Sequence, residues 1–436
     1  MDTKVAIISS IIILKLLILP LILEVMRNAY PQIIVTEDYQ SFHRANTHPE
    51  LSVFVTNCRI VNYFRSFMSG KIIPFPILEE FSKKAFIQAG VPASDATIAA
   101  DVLVKANYFG FESHGANRLK PIYLNRIKEG IILPITQVSV VREGPTTAVL
   151  DGNNGMGQVI SVRAMNLAID KAAKYGMGMV VVRNSNHYGF AGYYPLMATE
   201  KNMIGITGTN ARPSVAPTFG VEAMLGTNPL TFGIPSDEAF PFLLDCATSI
   251  IQRGKVELLA RKELPLAEGW VINNRGESQT CSQSVLKDLV NGQAALTPLG
   301  GFGEEMAGYK GYGYATVVEI LSSALQQGAF LNMLSGISNG NKVPYALGHF
   351  FIAIDVSAFT EPEMFKKTVG QILRELRASR KSPGQERIYT AGEKEYYFWK
   401  KHKDTGVVFG ESLLAEFRGI CRDYNLPEFE SHFELP

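Results

Sequence analysis

From residue 77 onward, short apolar runs alternate with stretches of helical spacing, and that alternation leaves few architectures open. Val138–Val141, Ala148–Leu150, Gly178–Val182, Met203–Gly208 and Phe350–Ile354 have the length and composition of strands. Leu78, Phe81, Ala85, Phe86 and Ala89 recur at helical spacing, and Gly90 follows as a stop. Ser94 and Asp95 are candidate caps for a second helix over 96–107. Further helical segments are predicted near 158–175, 190–201, 311–327 and 361–378. Such a pattern specifies an α/β or mixed α+β body. No repeat of 20–50 residues is visible.

The first 70 residues read differently. Fourteen of the nineteen residues from Val5 to Leu23 are Val, Ile or Leu, interrupted by Lys15 and Pro20. The run approaches the ~20 residues that span a bilayer, and its summed insertion gain offsets the cost of one lysine. A membrane anchor, a signal peptide and an extension unrelated to the chemistry are the three readings. The signal peptide is disfavoured by the length of the run, the missing small-residue cleavage site and the absence of glycosylation sequons. Residues 1–25 are thus a hydrophobic segment and 26–72 a linker or extension.

Composition removes several classes of function. The 42 basic residues nearly cancel the 41 acidic ones, leaving a net charge of +1, so no global basic field exists to track nucleic acid. Four dispersed cysteines, none in a CxxC, exclude a disulfide scaffold and a structural zinc site and fit a reducing compartment. No metal site is expected. Thirty-eight glycines invite a search for phosphate loops, but no complete GxGxxG occurs. Gly303–Lys310 fails as a Walker A loop because Tyr309 separates Gly308 from Lys310 and no Ser or Thr follows. Any dinucleotide must therefore bind outside the standard Rossmann arrangement.

Three groups of polar residues stand among apolar surroundings. Glu112–Arg118 joins Ser113 and His114 to Arg118, whose guanidinium suits a substrate carboxylate. Asn184–Phe190 follows an apolar run and places His187 where a strand delivers it to a cleft; its ordinary pKa near 6.5 suits proton exchange. The third comprises short turns: Thr207–Asn210, Gly226–Pro229, Leu244–Thr248 and Gly308–Gly313. Taken singly, each has an ordinary reading as turn or cap. His43, His48, His402 and His432 read as surface residues, His349 as a structural residue of a strand, and Cys246 as a small core residue.

In this order, these segments resemble the malate/L-lactate dehydrogenase family of NAD(P)-dependent oxidoreductases, whose relatives include ureidoglycolate and sulfolactate dehydrogenases and cyclic-imine reductases. The resemblance covers roughly residues 75–430. It rests on Ser113-His114-Gly115 with Arg118 and Tyr123, then Ser185–Gly189, Gly226–Pro229, Asp245–Thr248, Lys310–Gly313 and Gly348–Ile354. It implies a non-Rossmann fold with a largely antiparallel cofactor-binding sheet over 146–347, and a helical substrate and dimerisation domain over 73–145 plus 348–436. It also implies a homodimer, a cytoplasmic catalytic body and a small 2-hydroxy or 2-oxo acid as substrate, with no nucleic-acid partner and membrane contact only through residues 5–23. His187 is implied as the proton acceptor, with His114, Ser113 and Asp245 as further catalytic residues. Arg118 is implied as the carboxylate clamp and Tyr123 as its neighbour in the pocket. Cofactor contacts are implied at Asn210, Ala211, Asp245, Cys246, Ala247, Lys310, Gly311, Gly392, Glu393 and Lys394, with NAD as cofactor and NADP as the variant. The chain departs from the family in Cys246, in extra residues over Gly301–Ala307, in Ala391 and in Tyr345. These departures leave a second expectation, a catalytically inactive membrane-tethered relative that binds NAD(P).

Overall fold

The computed structural model describes residues 70–261 and 263–435. The apolar run at 5–23 and most of the expected linker lie outside the described residues. Among the described residues, no helix is long and apolar enough to cross a membrane. The last residues of that linker instead start the fold: β1 (Lys71–Ile73) will pair with the C-terminal strand β13.

Two helices follow. In α1 (Phe75–Gln88) the buried side chains Leu78, Phe81, Ala85 and Phe86 form one stripe, and Gly90 ends the turn at φ +92°. α2 (Ala93–Tyr108) begins at Ala93 behind Pro92, so Ser94 and Asp95 lie in its first turn and cap nothing. Asp95 is buried because it pairs with Arg163 at 2.8 Å. The chain then tightens through two 3₁₀ turns (Glu112–His114, Ala116–Arg118), a π-helical segment (Leu119–Leu124) and one α-helical turn (Asn125–Lys128).

The sheet is built from β2 (Ser139–Glu143), β3 (Thr147–Asp151), β4 (Met177–Ser185), β5 (Met203–Thr209), β6 (Leu230–Ile234), β7 (Phe242–Cys246) and a late strand, Leu347–Asp355. Between them lie α3 (Gly157–Tyr175) and α4 (Tyr193–Thr199). An inserted lobe holds α5 (Arg253–Arg261), β8 (Val271–Asn273), α6 (Ser282–Val290) and β9 (Ala294–Leu296), packed on Val215, Val256, Val271 and Val285. Then come α7 (Gly308–Leu321), a small hairpin β10–β11 (Ile337–Ser338, Asn341–Lys342) and the late strand, β12. The chain closes with α8 (Pro362–Ala378), α9 (Glu393–His402), β13 (Val407–Phe409) and α10 (Glu411–Asp423).

Strand order is β2-β3-β4-β12-β5-β6-β7. Only β3 and β4 run parallel, as the crossover helix α3 requires; all other neighbours are antiparallel. The mixed, largely antiparallel, non-Rossmann sheet agrees with the expectation. Two stretches fall differently from the expected division at 145/146 and 347/348. β2 joins the sheet edge, and β12 lies at its centre between β4 and β5. The run Leu347–Phe351 is buried throughout, because Phe350 packs with Val181 and Val318 on one face while Phe351 packs with Tyr194 and Met203 on the other. The helical layer is formed by α1 and α2 with the C-terminal α10, through Phe81, Phe417, Phe429 and Phe433.

Candidate active site

His187 stands just beyond the end of β4. The backbone there is held on both sides. Asn186 donates through Nδ2 to the Asn154 and Gly155 carbonyls. The first turn of α3 packs so closely that a Cβ on Gly157 would lie 2.3 Å from the Asn186 carbonyl oxygen. The His187 ring is positioned through Nδ1, which lies 2.7 Å from the Tyr123 hydroxyl and accepts the Gly189 N–H at 3.2 Å. Nε2 has no hydrogen-bond partner among the described residues and is the ring's free nitrogen. The Tyr123 hydroxyl can donate to a bare Nδ1 or accept from a protonated one, so it supports either tautomer. Burial, then the charges of His114, Arg126, Arg118 and His349, hold the His187 pKa well below its ordinary value, so the ring is neutral at physiological pH.

The second group is arranged by the tight turns after α2. A Cβ on Gly115 would collide with the Asn107 side chain, whose Oδ1 accepts the Ala116 N–H at 2.8 Å. This turn sets Ser113 Oγ 2.9 Å from His114 Nδ1. The His114 ring lies nearly parallel to that of His187, with centroids 5.7 Å apart. Burial, and then the Arg118 charge, lowers the His114 pKa to about 4. Arg118 donates through Nε to the Ser113 carbonyl at 2.5 Å, which leaves both terminal nitrogens for a ligand.

Asp245 comes from the opposite side, at the end of β7. Its carboxylate accepts the Gly192 N–H at 2.7 Å and the Thr231 hydroxyl at 3.3 Å. Thr231 was hidden in the sequence, since its role follows from direct pairing of Thr231 with Asp245 across β6 and β7. Burial raises the Asp245 pKa to about 6 against those two hydrogen bonds. Ser113, His114, His187 and Asp245 line one cavity of about 130 Å³, together with Asn210 and Ala211. Asp245 bonds to Gly192 and Thr231, and neither Ser113 nor His114 is among its partners. Phe111, Gln252 and Leu347 also line the cavity; nothing in their local sequence marks them.

The remaining residues expected at a cofactor are dispersed. Asn210 faces the cavity, but its amide is used in the frame: Oδ1 accepts the Gly348 N–H and Nδ2 donates to the Ala329 carbonyl. Cys246 and Ala247 continue the β7 end, and Cys246 Sγ reaches toward the Leu230 carbonyl. Gly311 packs against Leu299, whose N–H bonds to the Thr248 carbonyl at 2.8 Å; a Cβ on Gly311 would lie 2.2 Å from the Leu299 oxygen. Lys310 is exposed in the first turn of α7, which carries no side-chain cap. Gly392 lies against Pro241 and Leu243, toward the other end of β7 from Asp245. Glu393 is buried between Arg387 and Arg377, and Lys394 lies over the Tyr389 ring. These three residues do not line the His187 cavity.

His349 is fully buried, with Nδ1 2.7 Å from Thr209 Oγ1 and Nε2 2.8 Å from Ser185 Oγ. Both ring nitrogens are engaged within the sheet, as its structural reading requires. Among the described residues, no group of three His, Cys, Asp or Glu side chains could hold a metal ion.

A neutral histidine with a free Nε2 and a buried carboxylate around a cavity the size of a small acid, with the Arg118 charge acting on both histidines, define an enzyme site. The chain belongs to the malate/L-lactate dehydrogenase family, whose model matches residues 73–418. It is 45% identical over 350 residues to the malate dehydrogenase of Pyrococcus abyssi, covering 80% of this chain and 94% of that one. It is 38% identical over 337 residues to the L-sulfolactate dehydrogenase of Methanocaldococcus jannaschii, covering 77% and 92%. The crystal structure of malate dehydrogenase from Entamoeba histolytica superposes with a TM-score of 0.79 at 44% identity, over 82% of this chain and 99% of that one.

Proposed function

We propose that this protein transfers hydride between C2 of a small 2-hydroxy acid and a nicotinamide cofactor, NAD in the first instance. The observation that carries the reading is His187: neutral, held at Nδ1 by Tyr123 and Gly189, and beside Arg118. Relatives named as malate and sulfolactate dehydrogenases support it.

Arg118 takes the substrate carboxylate on its two free nitrogens and so fixes the position of C2. In the oxidising direction, the tautomer with the proton on Nδ1, accepted by Tyr123, takes the hydroxyl proton at Nε2; in that tautomer the Gly189 N–H no longer donates to Nδ1. In the reducing direction, the protonated ring returns that proton to the 2-oxo oxygen. Positioned proton transfer of this kind contributes about 10²–10⁴-fold. Ser113 orients His114, and Asp245 bounds the far wall.

The residues present fit a nicotinamide dinucleotide. The exposed Lys310 at the start of α7 is a donor for phosphate. The Asp245–Thr248 segment is tied to that helix through Leu299 and Gly311. When bound, the nicotinamide accepts the hydride released from C2. Asp245, Cys246, Ala247, Lys310 and Gly311 are the residues that would hold the cofactor.

A homodimer is part of the same proposal. α7 exposes Tyr309, Tyr314, Val317 and Ile320, a surface more apolar than a solvated helix face carries. Light scattering of the purified protein should give twice the chain mass.

The deciding experiment is His187→Ala assayed with malate and lactate against both NAD and NADP. Turnover should be nearly abolished while NADH still binds by fluorescence titration. Unchanged turnover would remove His187 from the mechanism.

A further inference from the structure

Glu319, on α7, is a buried carboxylate that the proposed chemistry leaves unused. Its two oxygens hold two different loops. Oε2 accepts Asn228 Nδ2 at 2.8 Å, and Oε1 accepts the Leu331 N–H at 2.9 Å. Both loop residues have left-handed backbones, Asn228 at φ +34° and Leu331 at φ +49°, a region that leucine seldom adopts. The Asn228 amide also donates to the Ala315 carbonyl at 3.1 Å, one turn back along α7. Burial raises the Glu319 pKa, while the Leu331 N–H and the Asn228 and Asn210 amides oppose that rise. A neutral amide side chain would be cheaper to bury, but it offers one oxygen and so serves one of the two loops.

Both loops are tied to walls of the His187 cavity. Thr227 and Pro229 flank Asn228, and Asn210 donates through Nδ2 to the Ala329 carbonyl, two residues before Leu331. Thr227, Pro229 and Asn210 all line that cavity. Asn228 is joined in turn to the Asp245–Thr248 segment. Its carbonyl accepts the Thr248 hydroxyl at 2.9 Å, and the Thr227 carbonyl accepts the Thr248 N–H at 2.9 Å. A path of hydrogen bonds therefore runs from Glu319 through Asn228 to Thr248. His187, Tyr123 and Arg118 stand on other elements, and their own hydrogen bonds do not reach this path.

We propose that Glu319 is a positioning residue: without touching substrate, it fixes the Thr227–Pro229 turn and, through Thr248, the segment beside which the nicotinamide cofactor lies. The inference rests on the cofactor reading of Asp245–Thr248. Charge-assisted bonds from one carboxylate hold both loops at once, which keeps the two strained residues in place. Loss of Glu319 loosens the cofactor side of the site and spares the acid side, which Arg118 and His187 hold.

The test uses the full chain with Glu319→Gln and Glu319→Ala, and two readouts. Hydrogen exchange read by mass spectrometry should be about tenfold faster in the peptide that holds Thr248, while peptides from α1 and α10 keep the wild-type rate. A loss of global stability would speed all three. In steady-state kinetics, KM for NAD should rise about tenfold, with KM for malate within about twofold of wild type. Glu319→Ala should show the larger effects, and Glu319→Gln should recover part because it still holds one loop. Glu319→Gln keeps the shape of the side chain and so decides the matter if Glu319→Ala fails to fold. Thr248 exchange equal to wild type overturns the positioning role. So does a KM for NAD that is unchanged, or one that rises only in step with that for malate. If the wild type binds no NADH, the cofactor reading fails by itself, and Thr248 exchange still decides whether Glu319 positions the turn.

Discussion

The Tyr123 hydroxyl lies 2.7 Å from Nδ1 of His187, although the two residues stand 64 positions apart in the chain. Tyr123 comes from the π-helical segment of the helical layer and His187 from just beyond the end of a sheet strand, so this one hydrogen bond joins the two layers at the proposed proton acceptor. Tyr123 is fully buried, and burial pushes its pKa well above the ordinary value, so the hydroxyl stays protonated. Tyr123→Phe keeps the ring packing and removes only this bond. It should lower kcat about 10- to 100-fold with a smaller effect on KM, and move the pH dependence of kcat, because the ring then loses the Nδ1 partner that can accept its proton and keeps only the Gly189 N–H. A kcat and pH profile equal to wild type would show that His187 needs no such support.

Arg118 gives one donor to the Ser113 carbonyl and keeps two nitrogens free for the carboxylate of the proposed substrate. Hydrogen bonds to a charged group are worth about 1.5–3 kcal/mol, or roughly 10- to 100-fold. Arg118→Gln should therefore raise KM for malate and lactate alike by about that factor. Retained KM values in steady-state kinetics would place the carboxylate elsewhere.

Acid stability follows from the buried histidines. The folded-state pKa is near 4 for His114 and near 3 for His349, against 6.5 unfolded. Below pH 6.5 the unfolded chain binds protons that the folded chain refuses, so stability falls as pH drops, by up to about 1.4 kcal/mol per pH unit for each group. Asp245, raised to about 6, acts with the opposite sign between pH 3.8 and 6, but it is one group against two, with His187 shifted in the same direction as they are. The urea midpoint should fall between pH 7 and pH 4.5. The slope should be shallower in His349→Gln, although that variant is less stable at pH 7.

Gly311 touches the Leu299 backbone at a distance no side chain tolerates. Gly311→Ala should cost about 1–3 kcal/mol by overpacking. Because Leu299 bonds Thr248, the same change should weaken NADH binding. Thermal unfolding and fluorescence titration read the two effects separately; loss of stability with unaltered NADH affinity would detach Gly311 from the cofactor site.

Much of the fold was legible because local periodicity reports local structure. α3 was expected at 158–175 and is found at 157–175, and α8 was expected at 361–378 and is found at 362–378. β4 and β5 likewise lie where continuous apolar runs occur. The inserted lobe was not legible, because its helices are short and its strands only three residues long. Nor was the position of β12 at the sheet centre, since strand order is decided by pairings more than a hundred residues apart. His187, His114, Ser113 and Asp245 stood out as polar groups amid apolar sequence.

By itself, the sequence determined helices α1–α4, α7 and α8, five of the seven strands of the main sheet, the exclusion of a Rossmann phosphate loop and the residue types at the candidate site. Each of these depends on neighbours within a few positions. Only the tertiary structure decided that Tyr123 bonds His187, that Asp245 bonds Thr231 and Gly192, and that Gly392, Glu393 and Lys394 do not line the His187 cavity. The reason is that hydrogen bonding and burial depend on what packing brings together, and the packing here joins chain segments tens to hundreds of residues apart.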